Sequence, residues 1–325
     1  MTQKQTAVAG HGPTRRTTEI EEITNLYLIH PLAGRLVPIF AQLHVTPNAV
    51  SIMGMLFGIL SAFAYYRYWD PRFAIAGFAL MIAWHVMDGA DGQLARYTQS
   101  YSYFGKVLDG IADNVTFAAV YAALAVTASR RHGDWVYALV AISAVFHAIQ
   151  SASYETERQE YEYLGWGKKP QDPPPRDNRD RGGPGGIRRL LDFLHRLFFG
   201  LSFPTAGTNR KFRETMAEAL QTDPGKAVWV RQLYRETLAP QIRSWSVLSA
   251  NYRTLGIFIS TLFKAPEYYF VFEILAFSAV LAVLIRRLNS AHEVLLGNLR
   301  SAFSDGHHHE SRSTRSAAYL SASNR

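Results

Sequence analysis

The 325-residue sequence contains no cysteine, and this absence excludes several classes of protein. A chain without thiols forms no disulfide, binds no cysteine-ligated zinc or iron–sulfur cluster and has no thiol nucleophile. A small secreted fold held together by disulfides is therefore excluded.

Charged residues are absent from four long stretches in the first half of the chain. No Asp, Glu, Lys or Arg occurs within residues 49–66, 73–87, 114–129 or 135–154. A helix that crosses a bilayer needs about 20 mostly apolar residues, and about 17 at the lower limit. These stretches predict an integral membrane protein rather than a soluble one.

The remaining sequence is basic, with 34 Lys and Arg against 26 Asp and Glu and a formal net charge of +8. Because this charge lies between membrane segments, it indicates an anionic bilayer surface as the partner, and we expect no nucleic acid.

Hydropathy patterning predicts an all-α integral membrane protein with six transmembrane helices and an N-terminal interfacial amphipathic helix. The predicted segments are a disordered tail at 1–18, the interfacial helix at 19–44, transmembrane helices 1–4 at 45–155, a cytoplasmic insertion at 156–242, transmembrane helices 5–6 at 243–288 and a low-complexity tail at 289–325. The expected spans are 48–67, 71–89, 105–129, 134–155, 240–263 and 267–285, with Thr46 capping the first and Pro31 and Pro38 breaking the interfacial helix.

The insertion contains two distinct parts. Residues 168–186 are rich in Pro, Gly and Arg and are expected to be mobile, whereas residues 187–200 form a basic amphipathic pattern. That pattern predicts either a helix on the membrane surface or one packed on the rest of the insertion. The many basic residues of the insertion predict that it, both termini and the 90–104 turn face the cytosol.

Four carboxylates lie where the second and third predicted spans meet the cytosol. Asp88 and Asp91 are three residues apart at the end of one helix, and Asp109 and Asp113 are four apart at the start of the next. Each pair shares a helical face, and the short connection brings the two faces together. Four carboxylates next to hydrocarbon need compensating positive charge, which a hard cation such as Mg²⁺ supplies while leaving positions open for substrate phosphates.

Small residues accompany these carboxylates. Gly92, Ala95 and Gly105 leave space in which a nucleotide could approach the backbone. The same carboxylates could instead form a cation or proton site in a transporter, since intramembrane carboxylates also serve there.

The spacing in this region resembles the signature of the CDP-alcohol phosphatidyltransferase family. The pattern is Asp88-x2-Asp91-Gly92-x2-Ala95-Arg96-x8-Gly105-x3-Asp109-x3-Asp113, which agrees with that signature at every fixed position. The resemblance covers roughly 19–155 and 240–288 and leaves the insertion unexplained. It implies transfer of a phosphatidyl or other phosphate-linked group from a CDP-activated donor to a hydroxyl, with release of CMP, in phospholipid biosynthesis.

The resemblance also implies residue roles. Asp88, Asp91, Asp109 and Asp113 would hold Mg²⁺ or Mn²⁺, with two ions expected, and Asp113 would also act as base on the acceptor hydroxyl. The implied contacts of the CDP donor are Asn48, Ser51, Gly92, Ala95, Arg96, Ser102 and Gly105.

Other questions stay open at the level of sequence. A magnesium-dependent membrane prenyltransferase would also bind a diphosphate, but the C-terminal half has no second cluster of aspartates.

The donor, expected to be CDP-diacylglycerol, could be a soluble CDP-alcohol. Serine, inositol phosphate, glycerol phosphate and a lipid alcohol all remain as acceptors. We expect a homodimer in the cell's inner membrane.

Arg253 is the remaining candidate residue, because it falls inside the fifth predicted span. An unpaired arginine near the bilayer centre costs about 2.5–3.5 kcal/mol, so an anionic partner is expected. That partner is either Glu273 on the sixth span or a substrate phosphate in the aspartate cavity.

Overall fold

The computed structural model describes residues 17–100, 103–168, 210–222 and 224–322, and within these ranges the chain is helical with no β-strand. The α-helices, numbered here in chain order, are α1 (His30–Gln42), α2 (Pro47–Tyr65), α3 (Pro71–Tyr97), α4 (Tyr103–His132), α5 (Trp135–Trp166), α6 (Arg210–Thr222), α7 (Pro224–Ser244), α8 (Ala250–Leu262), α9 (Pro266–Phe272) and α10 (Ser278–Ala322). A π-helical turn at Glu273–Phe277 joins α9 to α10.

Five helical segments in the described residues are long and apolar enough to cross a membrane. They are Pro47–Tyr65, Pro71–Tyr97, Leu108–His132, Trp135–Trp166 and Pro266–Ser301. The prediction of an all-α, multi-pass membrane protein is confirmed.

The predicted continuous span at 240–263 is wrong. Pro240 lies within α7, a 3₁₀ turn follows at Trp245–Leu248, and the extended backbone of Ser249 separates it from α8. The 13 residues of α8 cover only about 20 Å at about 1.5 Å per residue, which is less than the hydrocarbon thickness. By length alone, α8 does not qualify as a sixth span.

Three helices extend further than the hydropathy pattern predicted. The second span continues through the aspartates to Tyr97, and α5 continues to Trp166, where Gly167 ends it in the left-handed conformation (φ 67°). The helix that begins at Ser278 runs to Ala322 through the expected low-complexity tail, and Leu295 and Leu299 are buried. Charged residues do not stop these helices, because their apolar faces continue past the membrane boundary.

The extended α5 and α10 contribute to a second hydrophobic core beyond the transmembrane bundle. The end of α5 packs with α6, α7 and α10 around Tyr161, Met216, Tyr234, Leu238 and Leu284. Part of the predicted insertion is therefore folded onto the ends of the transmembrane helices. Residues 1–16 of the predicted 1–18 tail, most of the 168–186 stretch and the 187–200 helix lie outside the described residues.

Two glycines of α2 determine how closely its neighbours approach. A Cβ atom on Gly54 would lie 3.1 Å from the Cβ of Met87 on α3, and one on Gly58 would lie 2.8 Å from the Cβ of Thr116 on α4. These contacts support a packing role for the pair. They bring the starts and ends of α2, α3 and α4 into register.

The first helix packs on the part of α3 that carries the first two aspartates. A Cβ atom on Gly89 would lie 3.3 Å from Ile29 and 3.5 Å from Ala33, and Gln93 donates a hydrogen bond to the backbone oxygen of His30 (3.3 Å). Because α1 covers this face of α3, the opposite face is left for Asp88 and Asp91.

We predict that Gly58→Ala destabilises the protein by about 1–3 kcal/mol, because the added methyl group overlaps Thr116 in a packed interface. Gly297→Ala is the matched control, since a Cβ there meets no atom within 4 Å and alanine favours the helix. Thermal unfolding in detergent measures both. Equal unfolding midpoints for the two variants would contradict the packing account.

Candidate active site

Three aspartates from two helices converge at one end of the bundle. Asp88 and Asp91 of α3 and Asp109 of α4 each present a carboxylate oxygen, and these three oxygens all lie within 4.8 Å of one another. Asp91 is buried, while the other two are partly buried. The predicted meeting of the two helical faces is therefore present in the structure.

The fourth aspartate lies beside this group rather than in it. Asp113 is one helical turn after Asp109 on α4 and is partly buried. It lies outside the set of three oxygens that share the 4.8 Å spacing. Its position therefore differs from that of the three grouped carboxylates.

The start of α2 orients one of the grouped carboxylates. Thr46 caps the helix by accepting a hydrogen bond from the Ala49 N–H (3.3 Å), and Pro47 occupies the first turn. This fixes Ser51, whose buried hydroxyl donates to Oδ2 of Asp91 and also lies 3.2 Å from the backbone oxygen of Pro47. Ser51, expected to contact the donor, is thus a direct partner of Asp91, a contact that the sequence interpretation missed.

Gly92, next to Asp91 on α3, lies beside the guanidinium of Arg96. A Cβ atom on Gly92 would make only an ordinary contact, 3.5 Å from Nη1 of Arg96 one turn later on α3. No described protein atom therefore requires glycine at this position. The glycine is instead consistent with close approach of a ligand to the backbone, next to a guanidinium that can bind phosphate.

The remaining predicted donor contacts are distributed as follows. Asn48 is half-buried on the first turn of α2, Ala95 is half-buried on α3, and Gly105 is half-buried near the start of α4. Ser102 lies outside the described residues. Asn48, Ser51, Ala95 and Gly105 thus belong to the same ends of α2, α3 and α4 as the carboxylates.

The chemistry of the donor atoms fits a hard divalent cation. Carboxylate oxygens are the ligands that Mg²⁺ and Mn²⁺ prefer, and three converging carboxylates repel one another unless a cation lies between them. Asp88, Asp91 and Asp109 are the residues that could hold such an ion.

Residues 44–170 match the family model described as CDP-alcohol phosphatidyltransferase. This region of the chain is therefore similar to the CDP-alcohol phosphatidyltransferase family. The match covers about two fifths of the chain and includes every helix that contributes to the aspartate cluster.

Two curated proteins are similar to this region. A bifunctional IPC transferase and DIPP synthase of Aquifex aeolicus is 31% identical over 118 residues, which is 36% of this chain and 26% of that protein. An archaetidylinositol phosphate synthase of Pyrococcus horikoshii is 34% identical over 80 residues, which is 25% of this chain and 40% of that protein. The chain thus spans between about a quarter and two fifths of these relatives.

Arg253 contacts residues other than the four aspartates. It is fully buried and pairs through Nη1 with Oε1 of Glu273, which is one of the two partners that the sequence left open. Nη2 donates to Oε1 of Gln150 (3.0 Å), and the guanidinium lies 5.0 Å from the ring centroid of Phe277. The structure gives the guanidinium internal partners and does not bring it to the predicted site.

The carboxylate of Glu273 is the centre of a network that sequence reasoning did not find. Tyr121 donates to Oε2 (2.6 Å), Ser143 also donates to Oε2, and Tyr269 and His147 Nδ1 each lie 3.1 Å from Oε1. The polar residues His147 and Gln150 inside an otherwise apolar span were the available signal. The partners of the buried Glu273 carboxylate come from α4, α5, α8 and α9, so this one charge connects the four helices.

The π-helical turn is part of the same network. Gln150 donates from Nε2 to the backbone oxygen of Glu273 (3.2 Å) and to the hydroxyl of Ser278 (3.1 Å). A π-helical turn disturbs the regular ladder of backbone hydrogen bonds, and a side-chain donor can satisfy the carbonyl. Gln150 thereby holds Glu273 in the position that faces Arg253.

The neighbouring residue of α8 contacts the helix that carries two aspartates. Thr254 is buried, and its hydroxyl lies 2.9 Å from Nε2 of His85 on α3. His85 is one turn before Asp88. The short helix α8 thus connects the buried ion pair to the transmembrane part of α3.

We predict that Ser51→Ala raises the Mg²⁺ concentration needed for half-maximal activity by about 10- to 100-fold, because an orienting partner of a ligand is lost. Ser61→Ala is the control on the same helix, since among the described residues the Ser61 hydroxyl donates to the backbone oxygen of Gly58 (2.7 Å) and not to a carboxylate. A Mg²⁺ titration of CMP release measures both. An unchanged requirement in Ser51→Ala would show that the contact with Asp91 does not matter.

We predict that Arg253→Ala and Glu273→Ala each destabilise the protein by about 3–5 kcal/mol, because each leaves a buried charge without its partner. The double variant should lose little more than either single variant. Arg72→Ala, which removes an exposed partner of Asp70, should cause no measurable loss. Thermal unfolding in detergent tests these variants, and additive losses would contradict a coupled pair.

Proposed function

We propose that the protein transfers a phosphatidyl group from CDP-diacylglycerol to an acceptor hydroxyl and releases CMP. The observation that carries the proposal is the three-aspartate cluster, which lies inside the region that matches the CDP-alcohol phosphatidyltransferase family. Its position at the ends of membrane-spanning helices suits a lipid-linked donor whose diphosphate lies at the bilayer surface. The family match also favours this function over the transporter and prenyltransferase alternatives.

Asp88, Asp91 and Asp109 would hold Mg²⁺, and two ions are the expected number. When bound, the metal neutralises the charge of the diphosphate and of the leaving CMP. Ser51 would keep the carboxylate of Asp91 in its binding orientation, since its hydroxyl already donates to Oδ2.

Asp113 would act as the general base. Its carboxylate accepts the proton of the acceptor hydroxyl, and the resulting oxygen attacks the phosphorus attached to diacylglycerol. The bond from that phosphorus to the bridging oxygen breaks, and CMP leaves with the electron pair. The separation of Asp113 from the three grouped oxygens supports this division of roles.

Donor recognition would fall to the space around Gly92. The backbone there is accessible, and the guanidinium of Arg96 lies against it, where it can bind phosphate oxygens. Asn48, Ala95 and Gly105 would border the nucleotide from the neighbouring helix ends, and Ser102 remains a candidate from the sequence.

The acceptor class to test first is an inositol phosphate, because one relative is an archaetidylinositol phosphate synthase. The relatives match only part of their length, so serine, glycerol phosphate and a lipid alcohol belong in the same assay. We further propose that the aspartates and both termini face the cytosol, as the basic residues favour. The homodimer and the inner membrane also remain predictions.

The proposal is tested by incubating the purified, reconstituted protein with CDP-diacylglycerol and each acceptor separately. We expect CMP release that requires one acceptor and Mg²⁺ or Mn²⁺, and that EDTA stops. Release of CMP with no acceptor would indicate hydrolysis instead, and no release with any acceptor would contradict the proposed donor.

We predict that Asp113→Asn lowers turnover by at least about 100-fold, because the amide cannot accept the proton of the hydroxyl. The unfolding midpoint should stay near that of the wild type. Asp134→Asn, a change of the same kind at an exposed residue between α4 and α5, is the control. If Asp113→Asn keeps most of its turnover, the assignment of the base is wrong.

We predict that Gly92→Ala raises the KM for the CDP donor while the unfolding midpoint stays unchanged. The added methyl group meets only Arg96 in the protein but occupies the space proposed for the ligand. The contrast with Gly58→Ala, whose methyl group overlaps a neighbouring helix, separates a loss of binding from a loss of packing. An unchanged KM for the donor would exclude Gly92 from its site.

A further inference from the structure

A cavity lined by aromatic and arginine side chains lies at the end of the bundle opposite to the aspartates. It has a volume of about 410 Å³ and is bounded by the α2–α3 connection and the end of α4. Along α4, Arg130 of this cavity lies about 32 Å from Asp109, and along α2 Tyr66 lies about 22 Å from Ser51. The cavity is therefore separate from the proposed active site by most of the membrane thickness.

Three arginines line this cavity, and an aromatic ring supports each of them. The guanidinium carbon of Arg67 lies 5.6 Å from the ring centroid of Phe73, that of Arg130 5.1 Å from Tyr66, and that of Arg131 5.0 Å from Trp69. Stacking of this kind limits the conformations of a guanidinium. Arg130 also donates from Nη2 to the hydroxyl of Tyr66, which fixes it further and leaves its other N–H groups for a ligand.

The positive charge of the three arginines is not cancelled locally. Within the part of the chain that the structure describes, none of the three lies within ion-pair distance of a carboxylate. Asp70 also lines the cavity, but Arg72 holds its carboxylate with hydrogen bonds of 2.8–3.2 Å. These hydrogen bonds lower the pKa of Asp70, so its charge belongs to the pair with Arg72.

The backbone around the cavity is fixed by further contacts. Thr127 donates to the backbone oxygen of Tyr66 (3.0 Å), which ties the α2–α3 connection to α4. The arginines follow directly after the last apolar turns of two spans, at Tyr65 and at Ser129. A cavity at the ends of two spans would lie level with the lipid headgroups, and tyrosine and tryptophan are typical residues of that interface.

We infer that this cavity, formed by Arg67, Arg130 and Arg131 against Tyr66, Trp69 and Phe73, is a binding site for the phosphate-bearing headgroup of an anionic phospholipid. The lipid would come from the leaflet opposite to the aspartate cluster. Its phosphate would accept hydrogen bonds from the guanidinium groups, and its acyl chains would follow the apolar surfaces of α2 and α4. A net positive site favours an anionic lipid over a zwitterionic one.

The inference is tested with the full-length protein in detergent micelles by following its unfolding midpoint. The probes are dioctanoyl-phosphatidylglycerol, dioctanoyl-phosphatidylcholine and inorganic phosphate. We expect stabilisation by phosphatidylglycerol at concentrations where the other two have little effect. In the double variant Arg130→Gln/Arg131→Gln, the half-saturating concentration of phosphatidylglycerol should rise about 5-fold for each charge removed, or about 25-fold in all.

The matched control is Arg286→Gln/Arg287→Gln, an exposed basic pair on α10 that does not line this cavity. This variant should keep the wild-type response to phosphatidylglycerol. Because the aspartate cluster is unchanged in both variants, lipid binding there affects them equally. Counting bound lipids by native mass spectrometry gives a second readout that does not depend on the midpoint.

Three results would overturn the inference. One is equal half-saturation in the wild type and Arg130→Gln/Arg131→Gln. Another is an equal loss of affinity in Arg286→Gln/Arg287→Gln, which would indicate a general charge effect. The third is saturation by phosphatidylcholine or by inorganic phosphate at the same concentration as by phosphatidylglycerol, which would exclude an anionic lipid as the specific ligand.

Discussion

The mutual repulsion of carboxylates at the end of a membrane bundle is the constraint on which this structure depends. Two unit charges about 4 Å apart repel by about 1 kcal/mol in water and by about 4 kcal/mol near a protein surface. Oxygens of Asp88, Asp91 and Asp109 lie within 4.8 Å of one another, so the fold must hold them together against this repulsion. A bound cation reverses the sign of the interaction, which is why the cluster favours a metal centre.

Packing between the helices stabilises the arrangement of the three aspartates against their mutual repulsion. The glycines of α2 allow α3 and α4 to approach closely, and α1 covers the other side of α3 through contacts at Gly89. Ser51, fixed by the capped start of α2, donates a hydrogen bond to Asp91. Three helices thereby converge on one group of oxygens, although each helix taken alone is an ordinary apolar span.

The C-terminal helices contribute through a buried charge rather than through length. The helix α8 is too short to cross the bilayer by itself, yet it contains Arg253, which pairs with Glu273 inside the bundle. The adjacent Thr254 contacts His85 on α3. A short helix can remain in place because its polar side chains are satisfied by α3, α5 and the π-helical turn. These contacts connect the C-terminal half to the helix that carries Asp88 and Asp91.

The sequence predicted the membrane class, the cap at Thr46 and the meeting of the aspartates, because these depend on local composition and spacing. It did not predict the break before Ala250, since hydropathy does not distinguish a continuous helix from two helices joined by a 3₁₀ turn. The contact between Ser51 and Asp91 and the network around Glu273 were also missed. Both join residues that are far apart in the chain, and only the packing of the helices brings them together.

The most direct test of the metal centre is a Mn²⁺ titration of the purified protein in lipid nanodiscs, in which electron paramagnetic resonance measures the free ion. The account predicts saturable Mn²⁺ binding that Mg²⁺ displaces and that Asp91→Asn/Asp109→Asn abolishes. Asp134→Asn should bind as the wild type does. Identical Mn²⁺ binding by the wild type and by Asp91→Asn/Asp109→Asn would contradict the claim that the converging carboxylates form the metal site.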